Sequence, residues 1–399
     1  MITELRMSNF FSISEPLVIS FESGVENRFG YYKYFETKTV KRSTSLINGF
    51  FGTNASGKTN ILKALSSILF YSSTINPAAY TGVVPNFQNK NIDKPTKLGA
   101  NFLFGNKVYE YDLEFKNNSI VNELFKVKIL KGTKPQSKLV FERKLNSKIK
   151  FGPDFTVLRT VLPNIEYSPI QSILPFFKIA RSPDLTDFWS GSNNYFGNVR
   201  WVNELDSKMG EIINAFIPAY RKDNSILDTI INIIKLFDPT IEDVIIKDES
   251  DKVNIRVKHY GFAVPIDIVM ESSGTIELFG SGYQIINCLK NGGVLVFDEV
   301  NRYLHPEIQN EIYNLFLNPS INTKNAQIFF SSHDHEVMNS LLPGQINLVE
   351  KAENSTVSYK LSDVDGVTGR DNFQKKYRFG VYGATPDPSE FNYKMGELV

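Results

Sequence analysis

The chain has 399 residues, 42% hydrophobic and 22% charged, with 44 Lys and Arg against 43 Asp and Glu, a formal net charge of +1. That length allows two or three ordinary domains or one elaborated α/β domain, and the composition is that of a globular chain with a large core. The near-neutral balance excludes a global attraction to nucleic acid, no apolar run approaches the ~20 residues needed to cross a bilayer, and the lone Cys288 excludes an intrachain disulfide and fits a reducing cytoplasm.

The N-terminus, MITELRMSNFFSISE, carries Glu4 and alternates, so it does not read as a signal peptide. Ile2, Leu5, Leu17, Ile19 and Phe21 are its candidate inward positions, as in edge or sandwich strands. SLINGFF then reads as a buried strand, and Ile61, Leu62, Leu65, Ile68 and Leu69 fall at helical spacing. Between them Gly52-Thr53-Asn54-Ala55-Ser56-Gly57-Lys58-Thr59 fits the G-x-x-x-x-G-K-[ST] pattern in full. Gly52 and Gly57 permit a tight path on which successive amides, those of Asn54, Ala55 and Ser56 among them, point inward as an anion nest. The helix start adds its dipole. Lys58 would reach the β- and γ-phosphates of ATP, and the Thr59 hydroxyl would sit on Mg²⁺.

Residues from Ser72 to Thr96, polar with Pro and Asn, read as a loop. From Leu98 to about Tyr167 short alternating strands follow (ANFLF, KVYEYDLEF, LFKVKIL, KLVFERKL), with turns at Gly105-Asn106, Asn117-Asn118 and Gly132, giving a largely antiparallel subdomain. Lys126 to Lys150 holds nine Lys or Arg and one acid, Glu142. It is either a phosphate-binding strip for DNA or a solvated hairpin surface, and the scarcity of interleaved aromatics favours the second. From Pro169 to Phe237 helical spacing dominates, with Val202, Leu205, Met209, Ile212, Ile213 and Phe216 on one face and Ile226, Leu227, Ile230, Ile231 and Ile234 on another. Strands return in DVIIKD, VNIRVKH and VPIDIVM.

Glu271-Ser272-Ser273-Gly274-Thr275 then opens a helix marked by Ile276, Phe279, Tyr283 and Ile286, and its hydroxyls and bare amides form a second anion site. GVLVF, apolar throughout, reads as a parallel strand covered on both faces and runs into Asp298 and Glu299. Asp298 would hold Mg²⁺, and Glu299 would act as general base on the attacking water. An amphipathic helix through Ile308, Ile312, Leu315 and Phe316 leads to the strand AQIFFSSH, whose His333 can contact a γ-phosphate.

The order of P-loop, SSG helix start, Asp-Glu strand and His-tipped strand resembles the ABC-type ATPase fold over roughly residues 1–75 and 260–345. More narrowly, SSGTIELF, VFDEVNRYLHP and AQIFFSSHD look like the AAA-type ATPases of bacterial phage-defence and abortive-infection systems. Those share this head with SMC, recombination-repair and overcoming-lysogenization proteins. The resemblance implies an α/β fold: an ABC-type P-loop head with a mixed or parallel sheet, an antiparallel β-subdomain and a helical insertion. It divides the chain into 1–167 (P-loop 52–59, β-rich part 98–167), a helical insertion 168–240, and 241–399 (signature 272–275, Walker B 294–299, switch His333). It also implies that Ser272, Ser273 and Gly274 cap the ATP held by another copy's P-loop, so that ATP joins two heads in a homodimer or larger homo-oligomer and hydrolysis releases them. Departures are the signature ESSGT in place of LSGGQ and His305 where transporter heads carry an aspartate. The glutamine that reaches the metal in such heads is read at Gln88, after Phe87.

An SMC or repair relative would need coiled-coil arms, and the residues between Thr59 and Ser272 show strands and short helices instead. A transporter ATPase would be smaller and serve a membrane partner. An overcoming-lysogenization nuclease would add a carboxylate-rich metal domain, whereas DVDGVTGRD, with Asp363, Asp365 and Asp371, reads as a turn rather than a metal site. The expectation is therefore a cytoplasmic, ATP- and Mg²⁺-dependent sensor or scaffold of a defence system, away from membranes, whose effector, a nuclease, is a separate protein. The alternative is a DNA-binding repair or recombination ATPase.

Overall fold

The structure is a computed structural model that describes residues 1–23, 30–36, 41–73, 83–88, 90–129, 136–156, 158, 169–178, 185, 187–188, 191, 199–202, 217, 220–221, 225–249, 252–300 and 305–385. The expected helical stripe from Leu205 to Phe216, the turn at Gly132, and Asn301 to Leu304 lie outside them, as do the side chains of Val202 and Ile226.

In chain order the strands begin with β1 (Ile2–Ser8), β2 (Leu17–Ser20), β3 (Glu22–Ser23), β4 (Tyr31–Glu36), β5 (Lys41–Ser45) and β6 (Ile47–Phe51), after which the chain enters helix α1 (Lys58–Ser73). A run of hairpins follows: β7 (Thr96–Phe104), β8 (Lys107–Lys116), β9 (Ser119–Ile129), β10 (Gln136–Lys144) and β11 (Lys150–Phe151). With β1 and β2 they form one antiparallel seven-stranded sheet, ordered β11-β10-β9-β8-β7-β1-β2. The β8–β9 turn is Asn117-Asn118, both at positive φ, the pairing that tight hairpins prefer.

The second sheet is built by β12 (Val199–Val202), β16 (Val294–Phe297), β17 (Gln327–Ser331), β6, β18 (Ile346–Ala352) and β19 (Ser355–Lys360), in that order. The first five run parallel, and β19 closes the edge antiparallel to β18. Here the structure corrects the reading of 168–240 as helical: its VRWV segment is a sheet strand beside β16. Four residues with two polar or aromatic side chains carry too little alternation to register as a strand. The VPIDIVM segment is corrected as well. After β13 (Ile241–Glu249) and β14 (Lys252–His259), only Ile266–Asp267 forms a strand, β15, and Ile268–Met270 turns as a 3₁₀ helix whose start is capped by the Asp267 carboxylate on the Val269 N–H.

Helices α2 (Ser225–Phe237), α3 (Ser273–Asn291), α4 (Pro306–Leu317) and α5 (Phe373–Arg378) are the remaining α-helices among the described residues. Every side chain of β6 and β16 is buried because both faces of this sheet are covered. On one face Phe50, Val294, Val296 and Phe329 pack with Ile61, Leu62, Leu65, Ile68 and Leu69 of α1, and the far side of α1 meets the antiparallel sheet. On the other face Ile47, Phe51, Leu295, Phe297, Ile328 and Phe330 pack with α2, α3 and α4. The layers are thus antiparallel sheet, α1, parallel sheet, helices. Buried Gln327 joins the two sheets: its Oε1 accepts from the Ile2 N–H at 2.6 Å, and its Nε2 donates to Ile2 O at 3.0 Å and Ser45 O at 2.7 Å. Among the described residues no helix is long and apolar enough to cross a membrane.

Candidate functional site

The parallel register brings three strand ends side by side, because Phe297 pairs with Phe330 and Ser331 with Phe50. Side chains just beyond these ends must therefore converge, which is where open α/β sheets place their ligands. A cavity of about 610 Å³ lies there, lined by Asn54, Ala55, Gly57, Lys58, Thr59, Asn60, Glu299 and His333.

The loop that walls it can be followed residue by residue. Gly52 backs onto β18, where a Cβ would fall 2.0 Å from Val349 O. Gly57 has φ +111°, and a Cβ there would meet Thr356 Oγ1 at 2.1 Å, so both conformation and space demand glycine. Ala55 also takes the left-handed region at φ 61. Behind the loop a hydroxyl chain fixes its path. Asn60 Nδ2 donates to Ser12 Oγ at 2.7 Å, Ser12 Oγ lies 2.8 Å from Thr356 Oγ1, and Thr356 Oγ1 donates to the buried Ser56 carbonyl at 2.7 Å.

Lys58 is the first residue of α1 and is buried; its Nζ reaches across the loop and donates to Gly52 O and Thr53 O, each at 2.9 Å. Burial pulls its pKa down to about 8, against the opposing pull of Asp298 and Glu299. Thr59 Oγ1 donates to Asp298 Oδ1 at 3.2 Å. Ser331 Oγ donates to the same oxygen at 2.5 Å and accepts from the Glu299 N–H at 2.8 Å. Burial raises the Asp298 carboxyl above the ordinary aspartate range, partly offset by those two hydroxyls. Glu299 sits at φ 51, a left-handed conformation that non-glycine residues seldom adopt. Its Oε1 lies 3.7 Å from His333 Nε2. Burial and the nearby Lys58 charge lower the His333 pKa, so the imidazole is neutral at pH 7.

Of the residues singled out in the sequence, Asn54, Ala55, Gly57, Lys58, Thr59, Glu299 and His333 line one cavity, Asp298 is bonded to Thr59, and Gly52 and Ser56 form the loop's back. Gln88 is not brought there: its Nε2 donates to Asn354 O at 3.1 Å, in the β18–β19 turn. Ser272, Ser273 and Gly274 also do not line it. Ser272 caps α3, accepting from the Thr275 N–H at 3.1 Å, and both serines are exposed. Glu271 is held from behind by His259 Nε2 at 2.6 Å. Sequence reasoning missed Ser12, Asn60 and Thr356, whose contacts span up to 344 residues.

The described part of the Lys126–Lys150 strip is largely paired. Lys126 and Lys128 flank Glu110 at 3.8 and 2.7 Å, Lys138 meets Asp154, and Lys144 meets Glu142. Arg143 is turned inward onto Glu123, which is fully buried. Asp371 closes a turn, accepting from the Thr368 N–H at 3.1 Å and pairing with Lys376.

Residues 47–339 match the model of the family described as "AAA domain, putative AbiEii toxin, Type IV TA system". Among solved structures the chain is similar to the SmcHead in its crystal structure with the C-winged helix domain of ScpA, at 15% identity and a TM-score of 0.43, covering 90% of this chain and 97% of that one. No curated protein matches the sequence.

Proposed function

From the premise that the chain belongs to the AAA-domain family matched over residues 47–339, we propose that it binds and hydrolyses ATP as the sensor or scaffold subunit of a bacterial anti-phage defence system. The observation that carries the reading is the convergence of a glycine-built amide nest, Lys58, Thr59, Asp298, Glu299 and His333 at the ends of three neighbouring strands. The hard oxygen donors Thr59 Oγ1 and Asp298 Oδ1, 3.2 Å apart, suit a magnesium ion, which would neutralise phosphate charge when bound. In this reading Lys58 leaves its loop carbonyls for the β- and γ-phosphates. Glu299 takes a proton from the attacking water. Neutral His333 hydrogen-bonds the γ-phosphate and steadies the Glu299 carboxylate beside it.

The signature turn supports self-association. Ser272 and Ser273 are exposed, and the chain just before them exposes Tyr260, Phe262, Val264, Val269 and Met270. Exposed large apolar side chains grouped so closely along the chain support reading this segment as an interaction surface. We take the partner to be a second copy whose P-loop nucleotide meets this turn, with residues 1–167 and 241–399 as the two halves of one head and 168–240 inserted. The family description carries the words "putative AbiEii toxin, Type IV TA system", which supports a defence role; that the role is played in the cytoplasm, with a nuclease effector on another chain, is part of the same proposal. The DNA-repair alternative loses ground because the basic strip is laced with acids.

The test is E299Q in the full chain. It keeps ATP binding, loses hydrolysis by roughly 10²–10⁴-fold, and sediments as a dimer only with MgATP. Wild-type turnover in that variant would overturn the assignment.

A further inference from the structure

Asp298 and Glu299 are consecutive, yet the proposed chemistry needs the first fixed for a metal and the second aimed at a water. Both lie just past the end of β16, beyond its ladder. The neighbouring strand supplies the device at Ser331, its last residue, which is fully buried. A serine hydroxyl has one proton and two lone pairs. Here the proton goes to Asp298 Oδ1 at 2.5 Å and a lone pair takes the Glu299 N–H at 2.8 Å. The second bond holds a residue whose φ of 51 only local support sustains. It also sets the direction in which the Glu299 side chain leaves the backbone, toward His333.

We propose that Ser331 is a positioning residue for the reaction of this site, fixing Asp298 Oδ1 for the metal and locking the Glu299 backbone in its left-handed conformation. The inference rests on the ATPase reading above and adds to it one residue that does not line the cavity. Two effects follow. Without the hydroxyl, Asp298 can rotate, so the metal requirement rises. Glu299 can relax toward an ordinary φ, so its carboxylate leaves the attack line.

The experiment uses the full chain as S331A and S331T, with E299Q as reference. Three quantities are read: affinity for a fluorescent ADP analogue without divalent ions, the Mg²⁺ concentration at half-maximal turnover, and the turnover number. S331A keeps the metal-free affinity of wild type, because the P-loop is untouched. Its Mg²⁺ requirement rises and its turnover falls, each by roughly 10–100-fold, the usual cost of losing a group that orients a metal ligand. S331T, which retains a hydroxyl, recovers both. Should S331A fail to fold, S331C, of similar size but a weak donor, carries the same expectation. E299Q inactive with S331A unchanged in Mg²⁺ dependence overturns the Ser331 assignment alone. E299Q as active as wild type overturns the reading beneath it, and the assignment falls with it.

Discussion

The P-loop and the Ser272–Gly274 turn are both small-residue helix starts with bare amides, yet the rest of the chain treats them in opposite ways. The P-loop is enclosed: Val349 and Thr356 press on its glycines, and Lys58 is satisfied by the loop's own carbonyls. Asp298 and Glu299 reach it from the end of β16, across the intervening β17. The Ser272–Gly274 turn is anchored from behind through Glu271 and His259, but its hydroxyl-bearing side faces outward. The donors of the P-loop are buried and cross-bonded within the chain, whereas Ser272 and Ser273 are exposed, with the Ser272 hydroxyl engaged only by Thr275 of its own turn.

The largest way to break this contrast is at Lys58. K58A removes the only cation lining the cavity among the described residues. Loss of a charge-assisted bond to phosphate, worth about 1.5–3 kcal/mol, lowers ATP affinity by roughly 10–100-fold in equilibrium titration. The same titration on an S273R variant leaves monomer affinity unchanged, since that turn does not line the cavity. Equal losses in both variants would erase the distinction.

A smaller effect is read with pH. The unliganded Lys58 amine titrates at about 8, and phosphate needs it protonated. Affinity for ATP is therefore flat below that value and falls as pH rises through it, by at most about tenfold per unit. Stability runs the other way. A lysine pKa lowered by folding means the unfolded chain binds more protons between about 8 and 10.5, so Lys58 makes the fold more stable as pH rises across that window. A pH-independent affinity between 7 and 9 would place the amine's titration elsewhere.

What the sequence disclosed follows from the range of each interaction. The P-loop, the Asp-Glu strand and the His-tipped strand are each local patterns of fewer than ten residues, and the parallel sheet had only to align their ends. The inward set Ile2, Leu5, Leu17, Ile19 and Phe21 is buried as the alternation required. The bonds that make the loop rigid were not legible, because Ser12, Thr356 and Ser56 meet only through the fold. The same holds for the basic strip: Lys126 and Lys128 looked unopposed until β8 placed Glu110 between them. Gln88, the glutamine after Phe87, is drawn instead to the β18–β19 turn. Strand β12 was hidden because its pairing with β16, not its own pattern, makes it a strand.

The most direct test of the claim that this site is completed by a second copy is a mixing experiment with two inactive variants. S273R places a bulky cation on the outward turn but leaves its own P-loop intact, and K58A disables the P-loop but leaves its turn intact. ATP turnover is measured against mixing ratio, after subunit exchange has been demonstrated with labelled chains. Composite sites predict that turnover, absent in either variant alone, returns in the mixture and peaks near equal proportions, because a mixed dimer holds one intact P-loop facing one intact turn. Exchange without recovery at any ratio would contradict the account.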